Sequence, residues 1–187
     1  MNAPLPAAIR FDIQSLARAI TQCEAADALR CQFSLPHWNI LGAFMQPFPL
    51  NSGQVLMEQG AHDCTLYFIE SGILSAHYED EKERMQMALV GAGTVVGEGS
   101  FFSRQPRRAT VHASSQCKLW CLTPMRFKEL ASHHGPIALE LTLAMGSVMP
   151  IVCAFGLNGR RSRDKKMTIL GALAFCKMVN LIQNVTE

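Results

Sequence analysis

Residues 45–122 form a succession of short apolar runs separated by turn residues, and this spacing limits the folds that the chain can adopt. Runs rich in β-branched and aromatic residues, bounded by Gly, Asn and Ser, indicate strands. The predicted strands include 55–57, 65–70, 73–78 and 84–90, and the last alternates as a half-buried strand with Met85, Met87 and Leu89 on one face. Regular spacing of this kind favours a β-barrel or sandwich, whose mouth is a natural place for a small ligand.

The segment 97–110 reads Gly-Glu-Gly-Ser-Phe-Phe-Ser-Arg-Gln-Pro-Arg-Arg-Ala-Thr and combines groups suited to a small anionic ligand. Gly97 and Gly99 lack a Cβ, so the backbone can approach a ligand closely. Residues 100–103 are predicted to form one helical turn whose first amides are unpaired. Arg107 carries a planar fork of donors that matches two phosphate oxygens. The segment therefore predicts an anion cradle.

Glu98 lies between the two glycines, where a carboxylate would repel a phosphate. Its presence is explained if it accepts a hydrogen bond from a sugar hydroxyl of the same ligand. The alternative interpretation is a surface loop with a solvated pair of arginines, Arg107 and Arg108, because short motifs often match by chance. The predicted strands on either side, 90–96 and 109–113, favour the cradle.

These motifs resemble a known family. Gly-Glu-x-Ser followed by Pro-Arg-x-Ala-Thr is similar to the phosphate-binding cassette of cyclic-nucleotide-binding domains of the catabolite-activator (Crp/Fnr) type. The upstream run 60–72 looks like the family's second signature, a Gly-x(4)-Leu-Tyr-x-Ile-x-x-Gly hairpin. The segment 119–130 is similar to the last strand of the barrel and the helix that follows. The resemblance implies an α+β fold: a jelly-roll β-barrel flanked by N-terminal and C-terminal helices.

The resemblance also implies the roles of the cassette residues. Arg107 is expected at the cyclic phosphate, Glu98 at the ribose 2′-hydroxyl, and backbone amides near Gly99 and Ser100 at the phosphate. The full set of expected ligand-binding residues is Gly97, Glu98, Gly99, Ser100, Arg107 and Arg108. The chain departs from the family at Gly99, where a bulky aliphatic residue is usual, and at Arg108, where a small residue or Thr is usual.

The chain of 187 residues, 49% of them hydrophobic, is long enough for one domain with appendages. We expect a helical lead-in over 1–44, the barrel over 45–135 and C-terminal helices over 136–187. The lead-in helix is predicted to begin near Phe11 and to continue to about Arg30. Pro150 is predicted to kink or interrupt the C-terminal helix. In the family this helix forms a homodimer seam. The apolar stripe that could supply it is Met145, Val148, Met149, Ile151, Val152 and Phe155, although most such stripes belong to a protein's own core.

Seven cysteines at scattered positions suggest no disulfide framework, so we expect a cytoplasmic protein. We predict no membrane span: the best candidate, 167–185, contains Lys177, Asn180, Gln183 and Asn184.

The chain is not expected to be an enzyme or to hold a metal. Ser100 does not lie in the Gly-x-Ser-x-Gly elbow of a serine hydrolase. Cys117 and Cys121 share a face of a predicted strand, but no second pair of ligands follows them. His133 and His134 adjoin a turn and are interpreted as surface residues.

The sequence therefore predicts a regulatory sensor that binds a cyclic nucleotide, cyclic AMP before cyclic GMP, with no other cofactor. It would resemble the ligand-binding part of a transcription regulator. The alternative is an orphan barrel that serves as a dimerisation or scaffold module, its site empty or filled by Arg108. DNA is an uncertain partner. The sequence shows no helix-turn-helix pattern after the basic run 160–166. Outside that run the chain has 12 basic and 14 acidic residues, a balance that does not favour nucleic acid.

Overall fold

The computed structural model describes residues 10–79 and 85–155. The helices are α1 (Ile13–Gln22), α2 (Leu35–Phe44), α3 (Glu98–Ser103), α4 (Pro124–His133) and α5 (Gly135–Phe155). The strands are β1 (Gln46–Leu50), β2 (Val55–Met57), β3 (Leu66–Ser71), β4 (Ile73–Glu79), β5 (Met85–Gly91), β6 (Val95–Val96), β7 (Thr110–Ala113) and β8 (Cys117–Leu122). No helix in this part of the chain is long and apolar enough to cross a membrane. The predicted basic run 160–166 and the apolar segment 167–185 lie outside the described residues.

The eight strands form two four-stranded antiparallel sheets, as expected for a jelly roll. One sheet has the order β1-β8-β3-β6 and the other the order β2-β7-β4-β5. Strands that are distant in sequence lie side by side: Phe48 pairs with Leu119, and Ser75 pairs with His112. This crossing of the chain between sheets places the β6–β7 connection, which contains α3, beside the β2–β3 connection.

Two apolar clusters hold these layers together. The first fills the space between the sheets and is formed by Leu50, Met57, Ile69, Leu74, Val96, Val111, Ala113, Cys117 and Leu119. The second lies where the helices cover the other face of the β1-β8-β3-β6 sheet, and Phe68, Trp120, Phe101 and Phe127 belong to it. In β3, Phe68 and Ile69 are both fully buried but in different clusters, because successive side chains of a strand point to opposite faces.

The helices differ from the sequence predictions in three respects. The first is that α1 ends at Gln22 rather than near Arg30. The following loop instead buries Ala28 and Leu29, and the Leu29 N–H donates to the Gly93 carbonyl at 3.2 Å. The second is that Pro150 does not interrupt α5, which continues to Phe155. Helical periodicity in the sequence does not show where tertiary contacts, such as the burial of Ala28 and Leu29, end a helix.

The third difference concerns the predicted dimer stripe. Met145 and Val148 are buried in this chain's own core, together with Leu141 and Ala144. Their spacing of three and four residues matches one helix face that packs inward. These two residues are therefore not available to a partner, which agrees with the alternative that the stripe belongs to the core. The side chains of Met149, Ile151, Val152 and Phe155 lie outside the described part of the chain. Leu143, on the same helix, is 50% exposed.

The half-buried alternation predicted for strand β5 is not found at its described positions, since Met87, Ala88 and Leu89 are all exposed. Met87 and Leu89 are each 64% exposed, while Val90 packs against the cluster between the sheets. An alternation of period two shows that two faces differ. It does not show which face, if either, is covered by the core.

Candidate ligand site in the β6–β7 connection

The connection between β6 and β7 is built around a left-handed turn and a short helix. Gly97 has φ 89°, a conformation that side chains other than Gly rarely adopt, and it caps α3. The helix begins at Glu98, two residues before the predicted turn, and ends at Ser103; Arg104, which caps it, has φ 58°. Phe101 and Phe102 are buried below it and belong to the core that includes α4 and α5. These two rings anchor α3 on the core of the protein, so the position of the connection is fixed from below.

Arg107 is the anchor of the connection. Its side chain is almost completely buried, with 2% of the residue exposed. Nε donates to Asp63 Oδ2 at 2.8 Å, and Nη2 contacts Asp63 Oδ1 and donates to the Thr65 carbonyl at 2.7 Å. Nη1 donates to the Gly97 carbonyl at 3.2 Å. The guanidinium therefore ties Gly97 of the cassette to two residues of the β2–β3 connection, Asp63 and Thr65.

The backbone of Arg107 makes the same link. Its N–H donates to the Ala61 carbonyl at 2.7 Å, and its carbonyl accepts from the Gly60 N–H at 2.8 Å. Gly60 begins the segment that was recognised in the sequence as the second family signature. The two motifs, separated by about forty residues, are thus hydrogen-bonded to each other through one residue.

Gly97 also leaves room for this guanidinium. A Cβ at Gly97 would collide with Arg107 Nη1 and would lie 2.7 Å from the Thr65 carbonyl oxygen. At Gly99 a Cβ would meet nothing within 4 Å. The first glycine is therefore required by the packing of the cassette, whereas the second faces open space.

Glu98 lies next to this anchor and is half-buried. Burial raises the pKa of the Glu98 carboxyl above its ordinary value of 4.5, while backbone N–H groups of Glu98 and Gly99 and the charges of Arg107 and Arg108 act in the opposite direction. The structure thus places the Glu98 carboxyl close enough to the Arg107 guanidinium for its charge to lower the pKa of Glu98.

The remaining predicted residues lie in the same connection but differ in exposure. Ser100 is buried, with 4% exposed, and its carbonyl accepts from the Arg104 N–H at 3.0 Å. Arg108 is exposed, in contrast to the buried Arg107. Gly97, Glu98, Gly99, Ser100, Arg107 and Arg108 are therefore assembled by one loop and helix, but Arg107 and Arg108 have different surroundings.

Sequence reasoning missed Asp63 and Thr65. Burial alone would raise the pKa of Asp63, but hydrogen bonds from Arg107 and from the Thr65 N–H lower this pKa below its ordinary value of 3.8. The signal that could have revealed Asp63 is its position inside the recognised 60–72 segment, where it is the one carboxylate before the strand. Within the described ranges, no three His, Cys, Asp or Glu side chains are grouped in a way that could hold a metal ion.

Comparison with known proteins identifies this arrangement. Residues 47–134 match the family model for the cyclic nucleotide-binding domain. The cAMP-activated global transcriptional regulator CRP of Escherichia coli O6:H1 is 27% identical over 110 residues, which are 58% of this chain and 51% of that protein. The cAMP-dependent protein kinase regulatory subunit of Yarrowia lipolytica is 30% identical over 86 residues, which are 46% of this chain and 22% of that protein. The chain thus spans about half the length, or less, of these two relatives.

A solved structure supports the fold. The cyclic nucleotide-binding domain from Methylobacillus flagellatus superposes with a TM-score of 0.67 at 18% identity, covering 76% of this chain and 78% of that one. The similarity in fold and the match of residues 47–134 to the family model concern the same part of the chain. Residues 47–134 therefore match the cyclic nucleotide-binding domain by sequence, and the chain shares the fold of a solved domain of this kind.

Proposed function

We propose that this chain is a non-catalytic sensor that binds a cyclic nucleotide, cyclic AMP in preference to cyclic GMP, at the β6–β7 connection. Glu98 accepts a hydrogen bond from the ribose hydroxyl. Gly97, Gly99 and Ser100 line the phosphate with their backbone, and the two arginines, Arg107 and Arg108, supply positive charge. The observation that supports this proposal most directly is the position of the Arg107 guanidinium, which bonds to Gly97 immediately before Glu98.

The relatives favour a ligand of this kind, since the two curated proteins named above are described as activated by, or dependent on, cAMP. The matched family is itself named for binding rather than for a reaction. In this proposal the chain divides into a helical lead-in over residues 1–44, the β-barrel domain over residues 45–135 and C-terminal helices over residues 136–187.

The response to the ligand is proposed to pass through the aromatic core below α3. The ring centroids of Phe101 and Phe127 are 5.4 Å apart in an edge-to-face arrangement, and Phe127 belongs to α4. A change in the position of α3 would alter this contact and the packing of α5 on the same cluster. Ligand binding would then shift the equilibrium between arrangements of the C-terminal helices.

Calorimetric titration tests the proposal. The wild-type protein is titrated with cyclic AMP, cyclic GMP and, as a matched control, the linear nucleotide 5′-AMP. We expect cyclic AMP to bind most tightly and 5′-AMP to bind least. Glu98→Gln should weaken cyclic AMP binding about tenfold, because a neutral amide accepts a hydrogen bond less strongly than a carboxylate. No heat and no shift in melting temperature with either cyclic nucleotide at millimolar concentration would refute the proposal.

One observation favours a second candidate, a scaffold module that binds no nucleotide. Asp63 already neutralises Arg107, so the buried guanidinium is satisfied without a ligand. The same titration separates the two candidates, because a scaffold would show self-association without ligand heat. A homodimer remains a proposal. Sedimentation of the full chain, with and without cyclic AMP, would measure it, and the exposed face of α5 that carries Leu143 is the described part of that helix available to a partner.

A further inference from the structure

The edge strands of the two sheets differ in how they are protected from pairing with another chain. In the described part of the chain, β1 and β6 form the edges of one sheet, and β2 and β5 form the edges of the other. An edge strand directs a row of backbone N–H and C=O groups away from its sheet, where a further strand can pair with them. Folded proteins prevent such pairing with prolines, charges, bulges or very short edge strands.

Three of these edges carry one of those features. Strand β1 contains Pro47 and Pro49, neither of which has a backbone N–H to donate. Strand β2 has three residues, and its pairing with β7 shifts in register between Val55 and Met57. Strand β6 has two residues. None of these three edges therefore offers a long, regular ladder to another strand.

Strand β5 has none of these features. Its seven residues, Met-Gln-Met-Ala-Leu-Val-Gly, include no proline and no charged residue. It pairs with β4 in continuous register from Met85 to Gly91, and within the described ranges no second strand pairs with it. Met87, Ala88 and Leu89 are exposed in succession, although neighbouring side chains of a strand point to opposite faces. The centre of β5 is therefore uncovered on both faces as well as along its edge.

The outward face of this sheet is apolar beside β5. Leu89 and Met87 are each 64% exposed, and they lie opposite Ser75 and His77 of β4. Ile73, which is on the same face of β4, is 46% exposed. A strand added next to β5 would cover part of this apolar surface in addition to pairing with the backbone, and both effects favour association.

We propose that β5 pairs with β5 of a second copy of this chain, antiparallel and about a two-fold axis at Ala88, so that two four-stranded sheets join into one. With this register Met87 lies opposite Leu89 of the partner subunit on the outward face, and the small side chain of Ala88 lies at the axis. A second copy fits this edge because a strand paired with itself brings its own side chains face to face. Like charges in that position would repel, and β5 has none.

Sedimentation of the ligand-free full chain across micromolar concentrations tests this pairing, in wild type and in two double variants. Met87→Lys combined with Leu89→Lys places lysine opposite lysine on both sides of the axis, and it should weaken the dimer about tenfold or more. Met87→Lys combined with Leu89→Glu removes the same apolar surface but places opposite charges face to face. It should therefore associate more tightly than the double-lysine variant.

Two single variants serve as matched controls. Val55→Lys is on β2, at the other edge of the same sheet, and Leu143→Lys is on α5; both positions are exposed and apolar. Each should change the dissociation constant of the dimer less than about threefold, because neither position lies at the proposed contact. All the substituted side chains are exposed, so the unfolding midpoints should stay close to that of wild type.

Hydrogen exchange provides a readout of the backbone pairing itself. The amides of β5 should exchange more slowly at concentrations where the dimer forms than at concentrations where the chain is monomeric, because pairing protects them from water. The amides of α5 should exchange at the same rate under both conditions. In the double-lysine variant the concentration dependence at β5 should disappear.

Three results would overturn the inference. The first is a wild-type protein that stays monomeric up to nearly millimolar concentration. The second is a dimer that Leu143→Lys disperses and the double-lysine variant of β5 does not. The third is an opposite-charge variant that associates no better than the double-lysine variant, which would rule out the register about Ala88. These measurements contain no nucleotide, so their outcome is independent of the proposed function.

Discussion

Asp63 and Arg107, which are 44 residues apart in the sequence, form a two-point ion pair that joins the two connections bearing the family's motifs. The pair is asymmetric: the side chain of Arg107 is 1% exposed and that of Asp63 is 45% exposed. The buried positive charge of Arg107 is therefore compensated by Asp63, whereas the Asp63 carboxylate retains contact with water. The geometry of the cassette is set by this contact before any ligand arrives.

Replacing Asp63 by Asn should destabilise the protein. The variant keeps the size of the side chain but leaves the buried guanidinium without a charged partner. We expect the free energy of unfolding to fall by about 1–2 kcal/mol, the lower part of the range for a broken charged hydrogen bond, because water can reach the Asp63 side of the pair. Urea denaturation of the ligand-free protein measures this value. Glu24→Gln, at an exposed position, is the control, and equal stability of the two variants would contradict the role given to the pair.

The same ion pair should make stability depend on acid. The pKa of Asp63 is lower in the folded protein than its ordinary value of 3.8, so the unfolded chain binds the proton more readily. The stabilisation is present above that ordinary value and is lost as the pH falls through the folded pKa. Urea denaturation between pH 5 and pH 2.5 should show a steeper loss for wild type than for Asp63→Asn. Parallel curves would show that Asp63 is not the group concerned.

The two glycines of the cassette should respond differently to Ala. Gly97→Ala introduces a Cβ at positive φ and against Arg107 and the Thr65 carbonyl, and it should cost about 1–2 kcal/mol or more. Gly99→Ala adds a methyl group to open space within α3 and should be neutral or stabilise by up to about 1 kcal/mol. Thermal and urea unfolding of this matched pair measure the difference. A Gly97→Ala protein as stable as Gly99→Ala would disprove the close packing of Gly97 on the guanidinium.

Glu98 should produce a pH dependence of the opposite sign. Its pKa is raised in the folded protein, so the folded chain holds the proton more tightly than the unfolded chain. This contribution favours folding below the ordinary value of 4.5 and is lost as the pH rises through the folded pKa. Glu98→Gln cannot lose a proton, so its stability relative to wild type should increase between pH 4 and pH 7. Denaturation of both ligand-free proteins at several pH values checks this, and a constant difference would show that the carboxyl is not perturbed.

Local signals in the sequence were sufficient for the strands and for the cassette. The strand-and-turn spacing predicted a β-barrel or sandwich, because alternation and turn residues are properties of short segments. The glycines, Glu98 and the arginines were found because all of them lie within one connection. The resemblance to the cyclic nucleotide-binding family rested on two such local motifs, and it was confirmed.

Only the tertiary structure decided the contacts between segments that are distant in the sequence. The partner of Arg107 is Asp63, and no periodicity in the sequence links these two residues. Met87 and Leu89 face outward, and Met145 and Val148 face inward, because the orientation of a strand or helix depends on what packs against it. The sequence by itself determined the elements and the chemistry of the cassette, since these are encoded by neighbouring residues. Only the folded chain decided which arginine is buried and which is exposed, since burial depends on residues brought together from both connections.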